Sequence, residues 1–147
     1  MRRWIRNQVN VDEIVDVRTV NRPTAFQEKD AENQTLEHVS RNIFEALRHH
    51  GIMDETILSK LTAYRLVDRV CDIQKGRYIR WIRLNDTEPP RLFRGASAVN
   101  VVFTNEGTCI RCKIARFGFV QCRFDKCLVF ERLTDEEQLL MAVAAQV

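Results

Sequence analysis

Residues 109–114 read Cys109-Ile110-Arg111-Cys112-Lys113-Ile114, and their alternation decides the fold class. Successive side chains of an extended chain point to opposite faces. Ile110, Cys112 and Ile114 therefore fall on one side and Cys109, Arg111 and Lys113 on the other. That is a half-buried strand with a basic outer face. Asn105-Glu106-Gly107 turns the chain before it, and Ala98–Thr104 supplies a strand upstream, with Gly95 at its entry. Downstream, Gly118 precedes a strand over Phe119–Phe124, and Asp125-Lys126 leads to a further one over Cys127–Leu133. The spacing predicts that these last three strands form a meander. Tyr64–Ile73 and Arg77–Leu84 are rich in β-branched and aromatic residues around Gln74-Lys75-Gly76, which predicts a hairpin.

Helical patterns flank this block. Between Ala31 and His50, Leu36, Val39, Ile43, Phe44 and Leu47 recur at three- and four-residue spacing, opposite Glu37, Arg41, Glu45 and Arg48. Gly51 stops that helix, and Arg48, His49 and His50 suit its negative end. Asp54 caps a short second helix with Ile57, Leu58 and Leu61 inward, ending near Tyr64. Thr134-Asp135-Glu136-Glu137 is a capping box opening a C-terminal helix that carries Leu139, Leu140 and Val143. The expected architecture is α+β: a mostly antiparallel sheet or small open barrel over about residues 64–133, two helices before it and one after. Residues 1–26, with Val9, Val11, Ile14, Val15, Val17 and Val20, read as an extended arm closed by Pro23, and residues 27–147 as one domain.

A chain of 147 residues with 45% hydrophobic and 29% charged residues has the composition of one ordinary globular domain. Its apolar runs are far shorter than the roughly 20 residues of a bilayer-spanning helix. Asn7, Gln8 and Asn10 stand where a signal peptide would need its apolar core, so secretion is not expected. Five cysteines in a domain of this size read as reduced thiols of an intracellular protein. The formal net charge is +3, unevenly spread: nine Arg or Lys residues face three acids between Arg77 and Arg123. Such asymmetry suits a nucleic-acid surface, an acidic protein partner or another copy of the chain.

Four thiols, Cys109-x2-Cys112 and Cys122-x4-Cys127, match the count of a tetrahedral zinc site. The strand pattern opposes it, since it turns Cys109 and Cys112 to opposite faces, and the expectation is no metal and no cofactor, with a zinc module kept as a third reading. Redox chemistry at Cys109-x2-Cys112 lacks the helix N-terminus that lowers a thiol pKa. His38, His49 and His50 all sit in the first helix, on its polar side or at its end, where solvation or the helix dipole accounts for them. No phosphate loop, nucleophile elbow or calcium loop occurs, and no reaction is suggested.

Arg77-Tyr78-Ile79-Arg80-Trp81-Ile82-Arg83 interleaves three arginines with two aromatics, the mix that grips phosphates and stacks bases. Arg77, Arg80, Trp81, Arg83, Arg111, Lys113 and Arg123 are the candidate nucleic-acid- or partner-binding residues. The competing reading puts Tyr78, Ile79, Trp81 and Ile82 in the core and pairs the arginines with acids.

The segments Lys75-Gly76-Arg77-Tyr78-Ile79-Arg80-Trp81-Ile82, Leu92-x2-Gly95 and Phe130-Glu131-Arg132-Leu133-Thr134-Asp135-Glu136-Glu137 resemble, in their order, short uncharacterised proteins of large nucleocytoplasmic DNA viruses. The resemblance covers the C-terminal half and implies a virion or accessory protein, a minor capsid component being the plainest role. The expected function is therefore a non-enzymatic structural protein that contacts other subunits. The alternative is a small nucleic-acid-binding module using the basic aromatic sheet face.

Overall fold

The computed structural model describes residues 35–85, 87–116 and 118–145; the expected arm over residues 1–26 and the proposed domain start at 27 lie outside them. Helix α1 spans Leu36–His49, its first turn capped by the Thr35 hydroxyl, which accepts from the His38 amide at 3.1 Å. Val39, Ile43 and Leu47 are buried, and Gly51 takes the left-handed φ of 73° that ends the helix. Leu36 and Phe44, expected on the inner face, are instead more than a third exposed. Helix α2, Glu55–Lys60, begins where Asp54 accepts from the Thr56 and Ile57 amides. Helix α3, Asp135–Ala144, opens with the expected capping box between Thr134 and Glu137.

Among the described residues six strands form one antiparallel sheet: β1 Tyr64–Leu66, β2 Tyr78–Arg83, β3 Ala96–Thr104, β4 Gly107–Ile114, β5 Gly118–Arg123 and β6 Cys127–Arg132. Their order is β1-β6-β2-β3-β4-β5. Strands β2 to β5 run as consecutive neighbours, with a bulge in β3 between Ala98 and Asn100. β6 then leaves the meander and inserts between β1 and β2.

Two sequence expectations change here. The hairpin of residues 64–84 does not form, because the chain after β1 folds into a 3-10 turn at Val70–Asp72 and leaves a gap one strand wide. β6 takes the gap because it is apolar on both faces: Val129 points one way and Phe130 the other, and both are fully buried. The meander accordingly ends at β5 instead of β6.

The β5–β6 link curls the sheet. In a flat sheet four strand spacings would separate β5 from β6, about 19 Å. The link is only the 3-10 turn Phe124–Lys126, and its four Cα steps reach at most about 14 Å. The sheet must bend until the end of β5 lies beside the start of β6. Two hydrogen bonds fix the turn there: Leu84 N–H donates to the Lys126 carbonyl at 2.9 Å, and Thr108 N–H to the Asp125 carboxylate at 2.7 Å. Gly107 tolerates this close approach because a Cβ on it would strike the Asp125 Oδ2. No ladder joins β5 to β6, so the described residues form an open barrel.

Ile79, Trp81, Ala98, Ile110, Cys112, Cys122 and Val129 fill the interior. On the outer side, Ile43, Leu47, Ile57 and Leu61 of the helical layer pack on Tyr64, Ile82 and Phe130. The helices thus cover the outer face of β1, β6 and β2. α3 buries Met141 against Val39 and Leu133, leaving Leu139, Leu140 and Val143 exposed. Among the described residues no helix is long and apolar enough to cross a membrane.

Candidate interaction face

The sheet sorts the seven candidate residues by parity. Arg111 and Lys113 leave β4 on the outer side, opposite buried Ile110 and Cys112, and both are exposed. Across β4 and β5, Arg111 is paired with Gln121, Lys113 with Phe119 and Cys109 with Arg123, which puts all of them on that same side. Asn100 and Val102 of β3 extend the surface. The described helices stop at β2, so among the described residues nothing covers this half of the outer face.

The open half carries an aromatic and three cations. Phe119 is 56% exposed, and the Arg111 guanidinium carbon lies 4.5 Å from the centre of its ring. That contact holds the guanidinium over the ring. Arg123 pairs with Glu106 at 3.0 Å, both exposed, so its charge is partly neutralised. Cys109, which the alternation turns outward, is nonetheless buried between its neighbours Val102 and Arg123. Burial pushes its thiol pKa up despite the Arg123 charge beside it.

The other four candidates do not join this face. Trp81 points inward, is 4% exposed and stacks on Phe93 with ring centres 4.2 Å apart; it is a core residue, not a stacking platform. Arg80 donates from Nε to the Phe93 carbonyl at 3.0 Å, on the helix-covered side. Arg83 stands exposed at the end of β2, cross-strand from Cys127. Arg77 is spent inside the fold. It donates to the Arg132 carbonyl at 2.8 Å and to Glu137 at 2.6 Å, and lies 3.7 Å from Glu131.

Glu131 is the residue that sequence reasoning missed. It is fully buried on the interior side of β6, cross-strand from Arg65 on one side and Ile79 on the other. Arg65 reaches its Oε1 at 2.6 Å, while Oε2 has no hydrogen-bond partner among the described residues. Burial raises its pKa, and the Arg65 and Arg77 charges only partly oppose the rise. At Glu137 burial acts in the same direction, but the Thr134 amide and Arg77 outweigh it and hold the carboxyl below its ordinary value. One arginine thereby ties the core strand to the cap of α3. The strand alternation of residues 127–132 was the available signal, since it sets Glu131 on the same face as Val129.

The cysteines divide likewise. Cys112 and Cys122 are interior, Cys109 lies on the opposite face, and Cys71 is exposed. Among the described residues no group of three or more His, Cys, Asp or Glu side chains is arranged to hold a metal ion. The three histidines lie on the exposed side of α1 and its end, with the His49 and His50 rings edge-on at 5.1 Å. An open cleft between α1 and α2 is lined by Phe44, Leu47, Met53 and Leu58, and its Asp54 is committed to capping α2. No family model, curated protein or solved structure matches the chain.

Proposed function

We propose that the protein is a non-enzymatic interaction module that holds an acidic surface of a protein partner on the open β3–β4–β5 face. The observation that carries this reading is the exposed group of Arg111, Lys113 and Phe119 on a sheet face that the helices leave bare. Arginine and aromatic side chains are the usual anchors of protein interfaces, and the two cations select an acidic counterpart. The resemblance of segment order to proteins of large DNA viruses adds the context: a minor capsid or virion-associated component contacting other subunits.

Exposed Phe119 beside two cations also favours a second reading, in which single-stranded nucleic acid stacks and pairs its phosphates there. A photo-crosslinking side chain in place of Gln121, at the centre of the face, separates the two, with one in place of exposed Lys60 as the control. A discrete protein adduct from position 121 alone supports the first reading. A nucleic-acid adduct that weakens steeply with salt transfers the face to the second. Equal labelling from both positions overturns both.

A further inference from the structure

Helix α3 carries an apolar face that its own fold does not use. Among the described residues of the helix Met141 alone is buried, against Val39 and Leu133. Leu139, Leu140 and Val143 are exposed at 66%, 46% and 55%. With Glu136 they stand at i, i+3, i+4 and i+7, one side of the helix, turned away from Met141. The capping box at Thr134 and the Arg77–Glu137 pair at 2.6 Å fix this phase, so the helix cannot roll its leucines inward. Asp135 and Glu136 are exposed in the first turn, with no ion pair among the described residues. The helix dipole accounts for two acids there. It does not account for three large apolar side chains left in water beside them. The same lock holds α3 at the end of β6, three strands from β4 in the sheet order, so its own open sheet face is out of its reach.

The β3–β4–β5 face offers the complement. Arg111 and Lys113 supply two exposed cations, and Phe119 with half-buried Val102 supplies apolar surface. The α3 stripe is about 10 Å long, and the face is about 10 Å wide from β3 to β5. We propose that α3 of one copy of the chain seats on the open sheet face of the next, with Leu139 and Leu140 against Phe119 and the two acids beside Arg111 and Lys113. This rests on the reading of that face as the seat of an acidic protein surface, and it names the occupant. The two surfaces differ, so the contact is head-to-tail, and each pair keeps one unused sheet face and one unused α3 for further copies. A ten-residue helix on three strands lies at the small end of specific interfaces, below about 1,200 Å², so assembly depends on concentration.

The test is size-exclusion chromatography with light scattering on the full chain over a range of concentrations. The mass should climb above the 17.3 kDa monomer as concentration rises and fall back with added salt. Two variants separate the surfaces: Leu139→Gln with Leu140→Gln on α3, and Arg111→Glu with Lys113→Glu on the sheet. All four positions are exposed, so folding is not at stake. Each variant alone should weaken association by about tenfold or more. Mixed in equal amounts they should recover a species of twice the monomer mass and no larger, because one keeps an intact sheet face and the other an intact helix. A photo-crosslinking side chain in place of Gln121 should join tryptic peptide 133–147 of a second, isotope-labelled copy. A chain that stays monomeric at every concentration, or variants that stay monomeric when mixed, overturns the proposal. If position 121 then still captures a different, acidic protein, the reading of the face stands without this occupant. An adduct to nucleic acid, or to residues 1–34 of the same chain, overturns both.

Discussion

The two halves of the sheet use the same residue types for opposite ends. In the β1–β6–β2 half both faces are covered, and two of its arginines are consumed internally: Arg65 and Arg77 meet Glu131 and Glu137 around the end of β6. In the β3–β4–β5 half one face is bare among the described residues, and Arg111 and Lys113 stand exposed beside Phe119. An arginine on a strand therefore says little by itself; what covers the strand decides whether the charge holds the fold or meets a partner.

Trp81 is the sharpest way to break this comparison, because its sequence context fits either half. As a core residue stacked on Phe93, its replacement by Ala should cost about 4 kcal/mol in urea unfolding. A cost below about 1 kcal/mol, in the range of surface substitutions, would move Trp81 to the surface and dissolve the distinction.

Arg77 comes next. Its truncation leaves the fully buried Glu131 carboxylate with Arg65 alone and frees the Glu137 cap. Since Arg77 is itself 15% exposed, the cost sits at the low end for a broken buried pair, about 3 kcal/mol. Lysine should not restore it, because one ammonium cannot serve the Arg132 carbonyl and both carboxylates as a planar guanidinium does. Full rescue by Arg77→Lys would show that only the charge matters.

The smaller effect is in pH dependence, where the two acids oppose each other. Glu131 has a folded pKa above the ordinary 4.5, so its contribution is fully present below that value and is lost as pH rises through the raised pKa. Glu137 has a folded pKa below 4.5, so its contribution is present above that value and is lost as pH falls. Stability relative to Glu131→Gln should thus decline with rising pH, and stability relative to Glu137→Gln should grow. Two profiles of the same sign would mean that burial does not dominate at Glu131.

Local chemistry was legible in the sequence, and long-range pairing was not. Alternation of Ile110, Cys112 and Ile114, the Gly51 stop and the Thr134–Glu137 box each depend on residues within a few positions, and the structure follows them. The α+β class and the open sheet follow from the same signals. The insertion of β6 between β1 and β2 depends on partners some sixty positions away, Arg65 with Glu131 and Arg77 with Glu137. So the hairpin, the end of the meander and the burial of Glu131 lay beyond local reading. The candidate face was half legible: strand parity placed Arg111 and Lys113 outward, but only the covering helices show why Arg80 does not join them, and only the interior packing on Phe93 shows that Trp81 faces the core.

The central claim is that charge on the open half serves binding and not folding. The most direct test is the double reversal Arg111→Glu with Lys113→Glu, measured for unfolding free energy and for crosslinking from position 121. The account predicts stability within about 0.5 kcal/mol of the parent, as for other surface changes, together with loss of the adduct. Destabilisation of about 2 kcal/mol or more, or an adduct that survives the reversal, would contradict it.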